Sequence, residues 1–385
     1  MRCILLCYHE AMKKIAIITN RSGGGHISLT TGMIDAIKTY IHDDIEVRAF
    51  DPTPNIFPLA YSILTSWKIQ FVWRILWKWS DNMFVAKLIH RLNYQTFGNT
   101  LKKFISEFQP DLIISNSPFA TYELLLAKKE LKATFKTAIH VADPYTSHTL
   151  WFTNPEVDLF LSPTPEVSQK ALTLGFHADV IKTVGWLTRK EFLSDTQDTS
   201  IKKLLGFNED DILLFLGGSG FGDDKTIDIC KEFVKQGLHK KMKCIVNTGF
   251  NTISLDAVVS LAQKHRDAFM ILPYLSNLHH VLAISDLIIG KAGPNFLFEC
   301  IQLKKPFLAI GCIPGQEEAN LAFIKRSGIG WVEEDPKKIG RLITAIFSDK
   351  SAYAKKVSLI EDIRKEHQNT PKRIADEIKR VLELQ

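Results

Sequence analysis

The sequence predicts an α/β protein made of two Rossmann-like, doubly wound domains that face a cleft. Three observations carry the prediction. The 385 residues exceed what one hydrophobic core usually supports. Short apolar runs of strand length alternate with helical patterns in both halves, which is the rhythm of parallel βαβ units. A glycine-rich turn follows the first such run of each half, at the end of the strand where open parallel sheets bind ligands.

In chain order, the first half gives strand-like runs at Ile15 to Thr19, Ile45 to Phe50, Leu112 to Ser115, Thr137 to Val141, Leu159 to Ser162 and Ile181 to Val184. A polar, irregular passage from Thr188 to Ser200 interrupts the rhythm. It restarts with Ile212 to Leu216, Lys243 to Asn247, Phe269 to Leu272, Leu287 to Ile289 and Pro306 to Ile310. The boundary is therefore placed near 188–202. This divides the chain into a first domain over 1–190, a second over 191–355 and a closing helical segment over 356–385.

Composition narrows the functional classes. Hydrophobic residues at 45% and charged residues at 23%, with no low-complexity tract, describe a globular chain. A net charge of +6 suits anionic partners such as nucleotide phosphates and lipid headgroups, while the lack of a compact Lys/Arg stripe argues against nucleic acid. The six cysteines give neither zinc spacing nor a disulfide framework, which points to a reducing cytoplasm. No apolar stretch reaches spanning length, so peripheral contact is the expected form of any membrane association. Met12 offers an alternative start.

The glycine turns carry the chemistry. The first strand runs into Asn20-Arg21-Ser22-Gly23-Gly24-Gly25-His26, and a helix is expected from Ile27. Gly24 and Gly25 would let the backbone approach a diphosphate or sugar, with helix N-terminal amides facing it. No Gly-Lys-Ser/Thr follows, which excludes a Walker loop, and Ser28 stands where a dinucleotide fingerprint needs its third glycine. The second turn, Gly217-Gly218-Ser219-Gly220-Phe221-Gly222, matches that fingerprint in part. A third segment, Gly290-Lys291-Ala292-Gly293-Pro294-Asn295, opens a helix in which Glu299 lies more than one turn inside, where a carboxylate can accept from two ribose hydroxyls.

Together with Pro314-Gly315-Gln316-Glu317-Glu318 and Asn320, these segments in this order resemble the monogalactosyldiacylglycerol synthases and processive diacylglycerol glucosyltransferases of glycosyltransferase family 28. The resemblance runs from about Lys13 to Gly330. It implies a GT-B fold, a UDP-hexose donor held mainly by the second domain, and inverting transfer to a lipid hydroxyl with no obligatory metal or other cofactor. It also implies that the C-terminal helix returns to the first domain. By position, Gly293 and Pro294 would lie at the diphosphate, Glu299 at the ribose, Gln316 and Glu317 at the sugar hydroxyls, with Asn320 beside them, and the Gly218 to Gly220 backbone along the nucleotide. Asn295 departs from the glycine usual at its place.

Inverting transfer needs a base for the acceptor hydroxyl. His26 ends the first turn, and Asp143 and His148 follow the strand Thr137 to Val141, ahead of Trp151-Phe152. His26 is the candidate base or a phosphate contact, with Asp143 orienting it or acting as the base itself, while His148 is either an ordinary loop histidine or part of acceptor binding. Between Tyr61 and Arg91, Trp67, Trp73, Trp77 and Trp79 are interleaved with Lys68, Arg74, Lys78, Lys87 and Arg91. Such a segment is either a core-packed helix or one that lies in an anionic lipid interface and gathers the acceptor. The resemblance favours the second reading and implies peripheral attachment at the inner face of a membrane. Other readings are a UDP-sugar epimerase of the same architecture, a nicotinamide-dependent oxidoreductase and a non-catalytic membrane-bound UDP-sugar sensor.

Overall fold

The computed structural model describes residues 12–21, 24–65, 70–194, 200–217, 225–249 and 253–384. Gly218, Gly220 and Trp67 lie outside them. The described residues form two six-stranded sheets in which every paired strand is parallel.

The first half runs β1 (Lys13–Ile18), α1 (Gly24–Tyr40), β2 (Ile45–Phe50), α2 (Ile56–Leu64), α3 (Gln70–Ser80), α4 (Met83–Phe108) and β3 (Leu112–Ser115). It continues through α5 (Thr121–Leu131), β4 (Lys136–His140), β5 (Leu159–Ser162), α6 (Pro165–Thr173) and β6 (Ile181–Thr183). Its strand order is β2-β1-β3-β4-β5-β6. The runs Leu-Ile-Ile-Ser of β3 and Leu-Phe-Leu-Ser of β5 are wholly buried, because helices cover both faces of a parallel sheet.

The second half opens with α7 (Ser200–Leu204), β7 (Leu213–Leu216), α8 (Thr226–Lys235), β8 (Lys243–Gly249), α9 (Ile253–Lys264), β9 (Phe269–Pro273) and α10 (Leu278–Ile284). Then come β10 (Leu287–Lys291), α11 (Pro294–Gln302), β11 (Phe307–Gly311), α12 (Glu318–Ser327), β12 (Gly330–Val332) and α13 (Pro336–Ser348). The order is β12-β11-β10-β7-β8-β9, the doubly wound pattern with β7 at the centre. The sixth strand, β12, goes beyond the sequence expectation. It is three residues long, too short for a periodic signal, and is recruited by pairing Gly330 with Phe307.

The tail is two helices where one was expected, α14 (Lys350–His367) and α15 (Thr370–Leu382). Pro371 sits in the first turn of α15, where its missing N–H costs nothing, and would break a continuous helix there. α14 lies on α11 and α13 of the second half, with Arg364 Nε donating to the Gln302 carbonyl at 3.0 Å. α15 lies on α1 and β5 of the first half, and Thr370 Oγ1 donates to the Val184 carbonyl at 2.9 Å.

Between β2 and β3 the chain makes an excursion through α2, α3 and α4. Asn82 caps α4, accepting from the Val85 amide at 3.0 Å. α3 contributes no buried residue, so it is not a core helix. Val72 and Trp73 are partly covered, whereas Leu76 is exposed. Phe71, Ile75 and Trp79 also face outward, with Trp79 at 63% and Phe84 of α4 at 80% exposure. Among the described residues, no helix is long and apolar enough to cross a membrane.

Candidate functional site

In open parallel sheets, ligands bind beyond the carboxyl ends of the strands where the order reverses. That point lies between β1 and β3 in the first half and between β7 and β10 in the second. The two points face each other. An added Cβ on Gly25, in the first turn of α1, would stand 2.8 Å from the side-chain Nδ2 of Asn295 in the first turn of α11. Ser28 Oγ donates to Glu299 Oε1 across the same gap at 3.3 Å.

On the first-half side, His26 Nδ1 lies 2.7 Å from the Asn116 carbonyl at the end of β3. A carbonyl only accepts, so Nδ1 carries the proton and Nε2 is left as the basic nitrogen. Burial lowers the His26 pKa, opposed by the Asn116 bond and the Asp51 charge. Asn116 is itself fixed, because His140 Nδ1 lies 2.7 Å from its Oδ1 and its Nδ2 donates to Thr30 Oγ1 at 3.4 Å. His140 is pushed down to about 3 by burial, with the neighbouring His26 adding to the shift.

Asp143 follows β4 and is 8% exposed. Its Oδ2 accepts from Trp151 Nε1 at 2.7 Å. Burial raises its pKa to about 6; the Trp151 and Gln316 hydrogen bonds oppose that and the Glu317 charge adds to it. His148 is buried, its Nδ1 accepting from the Leu150 amide at 3.1 Å and its Nε2 lying 3.2 Å from the Trp77 carbonyl. Burial pulls it down to about 4. Trp151 is fully buried, and the Trp77 ring meets His148 edge-on at 4.6 Å. Trp73, Trp77, His148 and Trp151 therefore form an inward-facing joint, while Trp79 points out.

On the second-half side, Gly293 is the N-cap of α11 and Pro294 opens its first turn, with no side chain capping the exposed amides. Lys291 Nζ stands over this turn, 3.9 Å from where a Gly293 Cβ would be. It bonds both Glu317 oxygens at 3.0 Å, and Glu317 also accepts from the Ile313 amide at 2.7 Å. Asn320 braces the turn from behind, donating to the Ala292 carbonyl at 2.8 Å. Glu299 is nearly buried, and its Oε1 receives Arg189 Nη2 at 3.0 Å from the passage joining the halves. Burial raises the Glu299 pKa and Arg189 opposes that.

Gln316 faces the excursion. Tyr61 Oη donates to its Oε1 at 3.2 Å, and Arg74 pairs with Glu318 at 3.0 Å. Gly315 has φ +83°, a left-handed conformation that favours glycine, and an added Cβ there would stand only 3.1 Å from the Trp77 ring. The cleft thus gathers Gly24, Gly25, His26, Asp143, Gly293, Pro294, Glu299, Gln316 and Glu317. Sequence reading missed Tyr61, Asn116, His140, Arg189 and Lys291. Lys291 carried a signal, as a lysine immediately before Ala-Gly-Pro; the others are brought in by packing alone.

Two opposed doubly wound halves with facing switch points and a returning tail define the GT-B class. Solved structures share the fold: Anabaena HepE in complex with UDP (13% identity, covering 97% of this chain and 100% of that one, TM-score 0.57) and S. aureus MnaA with UDP (14%, 97% and 98%, 0.64). A putative UDP-N-acetylglucosamine 2-epimerase from Listeria monocytogenes does too (12%, 97% and 97%, 0.64).

Residues 29–186 match the monogalactosyldiacylglycerol (MGDG) synthase family and residues 212–378 the glycosyltransferase family 28 C-terminal domain. The chain therefore carries an MGDG synthase domain followed by a glycosyltransferase family 28 C-terminal domain. Similar proteins include a probable chloroplastic monogalactosyldiacylglycerol synthase of Glycine max (26% identity, 91% of this chain, 68% of that one) and the Bacillus subtilis processive diacylglycerol beta-glucosyltransferase (21%, 91% and 91%). The chain spans 68% and 66% of the length of two of the plant relatives.

Proposed function

We propose that this chain transfers a hexose from a UDP-sugar to the hydroxyl of diacylglycerol, with inversion at the anomeric carbon. One observation carries the reading: a histidine with a free basic nitrogen on one switch point faces an uncapped helix start, a lysine and a buried glutamate on the other. His26 Nε2 takes the proton as the acceptor oxygen attacks the anomeric carbon. The bond from that carbon to the β-phosphate oxygen breaks, and UDP leaves with the electron pair. The α11 amides and Lys291 stabilise the departing diphosphate, so no obligatory metal or other cofactor is assigned. Glu299 accepts from the ribose hydroxyls, Gln316 and Glu317 hold the hexose, and Gly24 and Gly25 let the backbone come close.

Asp143 is assigned to holding Trp151 and the Gln316 amide, which its carboxylate bonds, and not to orienting His26, whose Nδ1 is set by Asn116. The outward apolar faces of α2, α3 and α4, beside Lys78, Lys87 and Arg91, fit an anionic membrane surface. Trp73, Trp77, His148 and Trp151 support the acceptor's path from below. The protein then works peripherally, on the inner face of a membrane.

The test is release of UDP from UDP-glucose and UDP-galactose, with and without vesicles containing diacylglycerol. Lipid-dependent release is expected with one of the two. Sugar inversion without acceptor would mean an epimerase, and UDP binding with no turnover a sensor; either result overturns the proposal.

A further inference from the structure

Tyr61 belongs to α2, whose Ile56, Leu59 and Ile63 are all exposed, yet its own ring turns inward. It meets the Trp73 ring edge-on, with centroids 5.4 Å apart and planes at 88°. Its hydroxyl reaches the second half and donates to Gln316 Oε1 at 3.2 Å. Trp77 on Gly315 and Arg74 on Glu318 bring two more side chains of the excursion onto the same short segment. We propose that Tyr61 is a positioning residue for the donor sugar: it fixes the rotation of the Gln316 carboxamide, and so how the hexose is held. The proposal rests on the transferase reading above, in which Gln316 meets sugar hydroxyls.

The chemistry of the amide gives the reason. A carboxamide has one accepting end and one donating end, and without fixed partners it can rotate by half a turn. An ionised Asp143 can only accept, so it takes the Nε2 end of Gln316. Oε1 is thereby turned to the Tyr61 hydroxyl, which donates. One N–H and one oxygen lone pair remain for the sugar, in a defined order. That order decides which hydroxyl geometry is matched, since a mismatched hydroxyl leaves a half-buried amide group unpaired. Glucose and galactose differ in the direction of one hydroxyl, the kind of difference such a fixed amide reads.

Tyr61→Phe removes the hydroxyl and keeps the ring on Trp73, so an unchanged thermal midpoint shows that the fold survives. Calorimetry with UDP, UDP-glucose and UDP-galactose is the measurement. The variant is expected to bind UDP within about twofold of the unaltered chain, and the preferred UDP-hexose about five- to tenfold more weakly, with less discrimination between the two sugars. In a Gln316→Ala background the same change is expected to add nothing, because the hydroxyl acts through that amide. Equal weakening of UDP and UDP-hexose, no change, or additive losses in the double variant would each overturn the proposal. The transferase reading fails separately: the unaltered chain would show the binding differences above and still transfer nothing to vesicle lipid.

Discussion

The two halves follow one six-stranded parallel plan and differ most where the chain crosses from one wing of the sheet to the other. In the second half that crossing, from β9 to β10, uses the short helix α10. In the first half, from β2 to β3, it takes α2, α3 and α4 and leaves their outer faces apolar. The cleft residues differ too. Neutral, mutually bonded groups set His26, whereas ion pairs set Glu299 and Glu317. A base needs a neutral imidazole with a free nitrogen; a nucleotide diphosphate needs fixed donors and cations. The division of chemistry between the halves follows from that contrast.

The sharpest way to break the contrast is His26→Ala. Turnover is expected to fall by about 10²- to 10⁴-fold, with UDP affinity within about twofold, read by steady-state kinetics and calorimetry side by side. A comparable loss of UDP affinity would put His26 in donor binding. Glu299→Ala is the mirror experiment on the other half. UDP is expected to bind about 10- to 100-fold more weakly, since charge-assisted hydrogen bonds to the ribose are lost. Unchanged UDP affinity would remove Glu299 from the donor site. A smaller effect, aimed at the excursion, is expected for the pair Trp79→Glu and Phe84→Glu together. Sedimentation with anionic vesicles should drop at least about tenfold, while turnover on detergent-dispersed acceptor is retained. Undiminished sedimentation would mean that another surface meets the lipid.

Much of this was legible because parallel strands buried on both faces read as short continuous apolar runs, and because Gly-Pro turns mark helix starts. Eleven of the twelve strands among the described residues were located that way, and the exception, β12, has no pattern of its own. The tryptophan-rich segment was harder. Composition alone left a core helix and a surface helix equally open, and burial separates Trp73 and Trp77, turned inward, from Trp79. Asn116 and His140 gave no signal because their role rests on strands β3 and β4 lying side by side beside β1, which is a fact of topology. Arg189 was hidden in the irregular passage between the halves, where sequence pattern predicts only that a linker exists.

The smallest expected effect tests the neutral character of the first half. His140 and His148 are held near 3 and 4 by burial, and His367, beside the crossing of the tail, near 4. In the unfolded chain a histidine takes up its proton near 6.5. Between that value and the folded ones the unfolded state binds more protons, so stability rises with pH across the window and is lost as pH falls from about 6.5 towards 4. Asp143 acts in the opposite sense. Its folded pKa of about 6 exceeds the ordinary carboxylate value, so the folded state binds the extra proton and acidification favours it. Glu299 and the buried Glu123, also raised by burial, act with Asp143, but the lowered histidines, His26 among them, outnumber these carboxylates, and the urea midpoint is expected to fall between pH 7 and pH 5. His140 and His148 both lie in the first half, so hydrogen exchange should show its strands losing protection before those of the second. His148→Asn keeps a short acceptor for the Leu150 amide and removes one titrating ring, and should therefore shrink the fall. A midpoint that stays level across this range would mean that these rings find charge-stabilising partners when protonated, and that the two halves differ less in electrostatics than in shape.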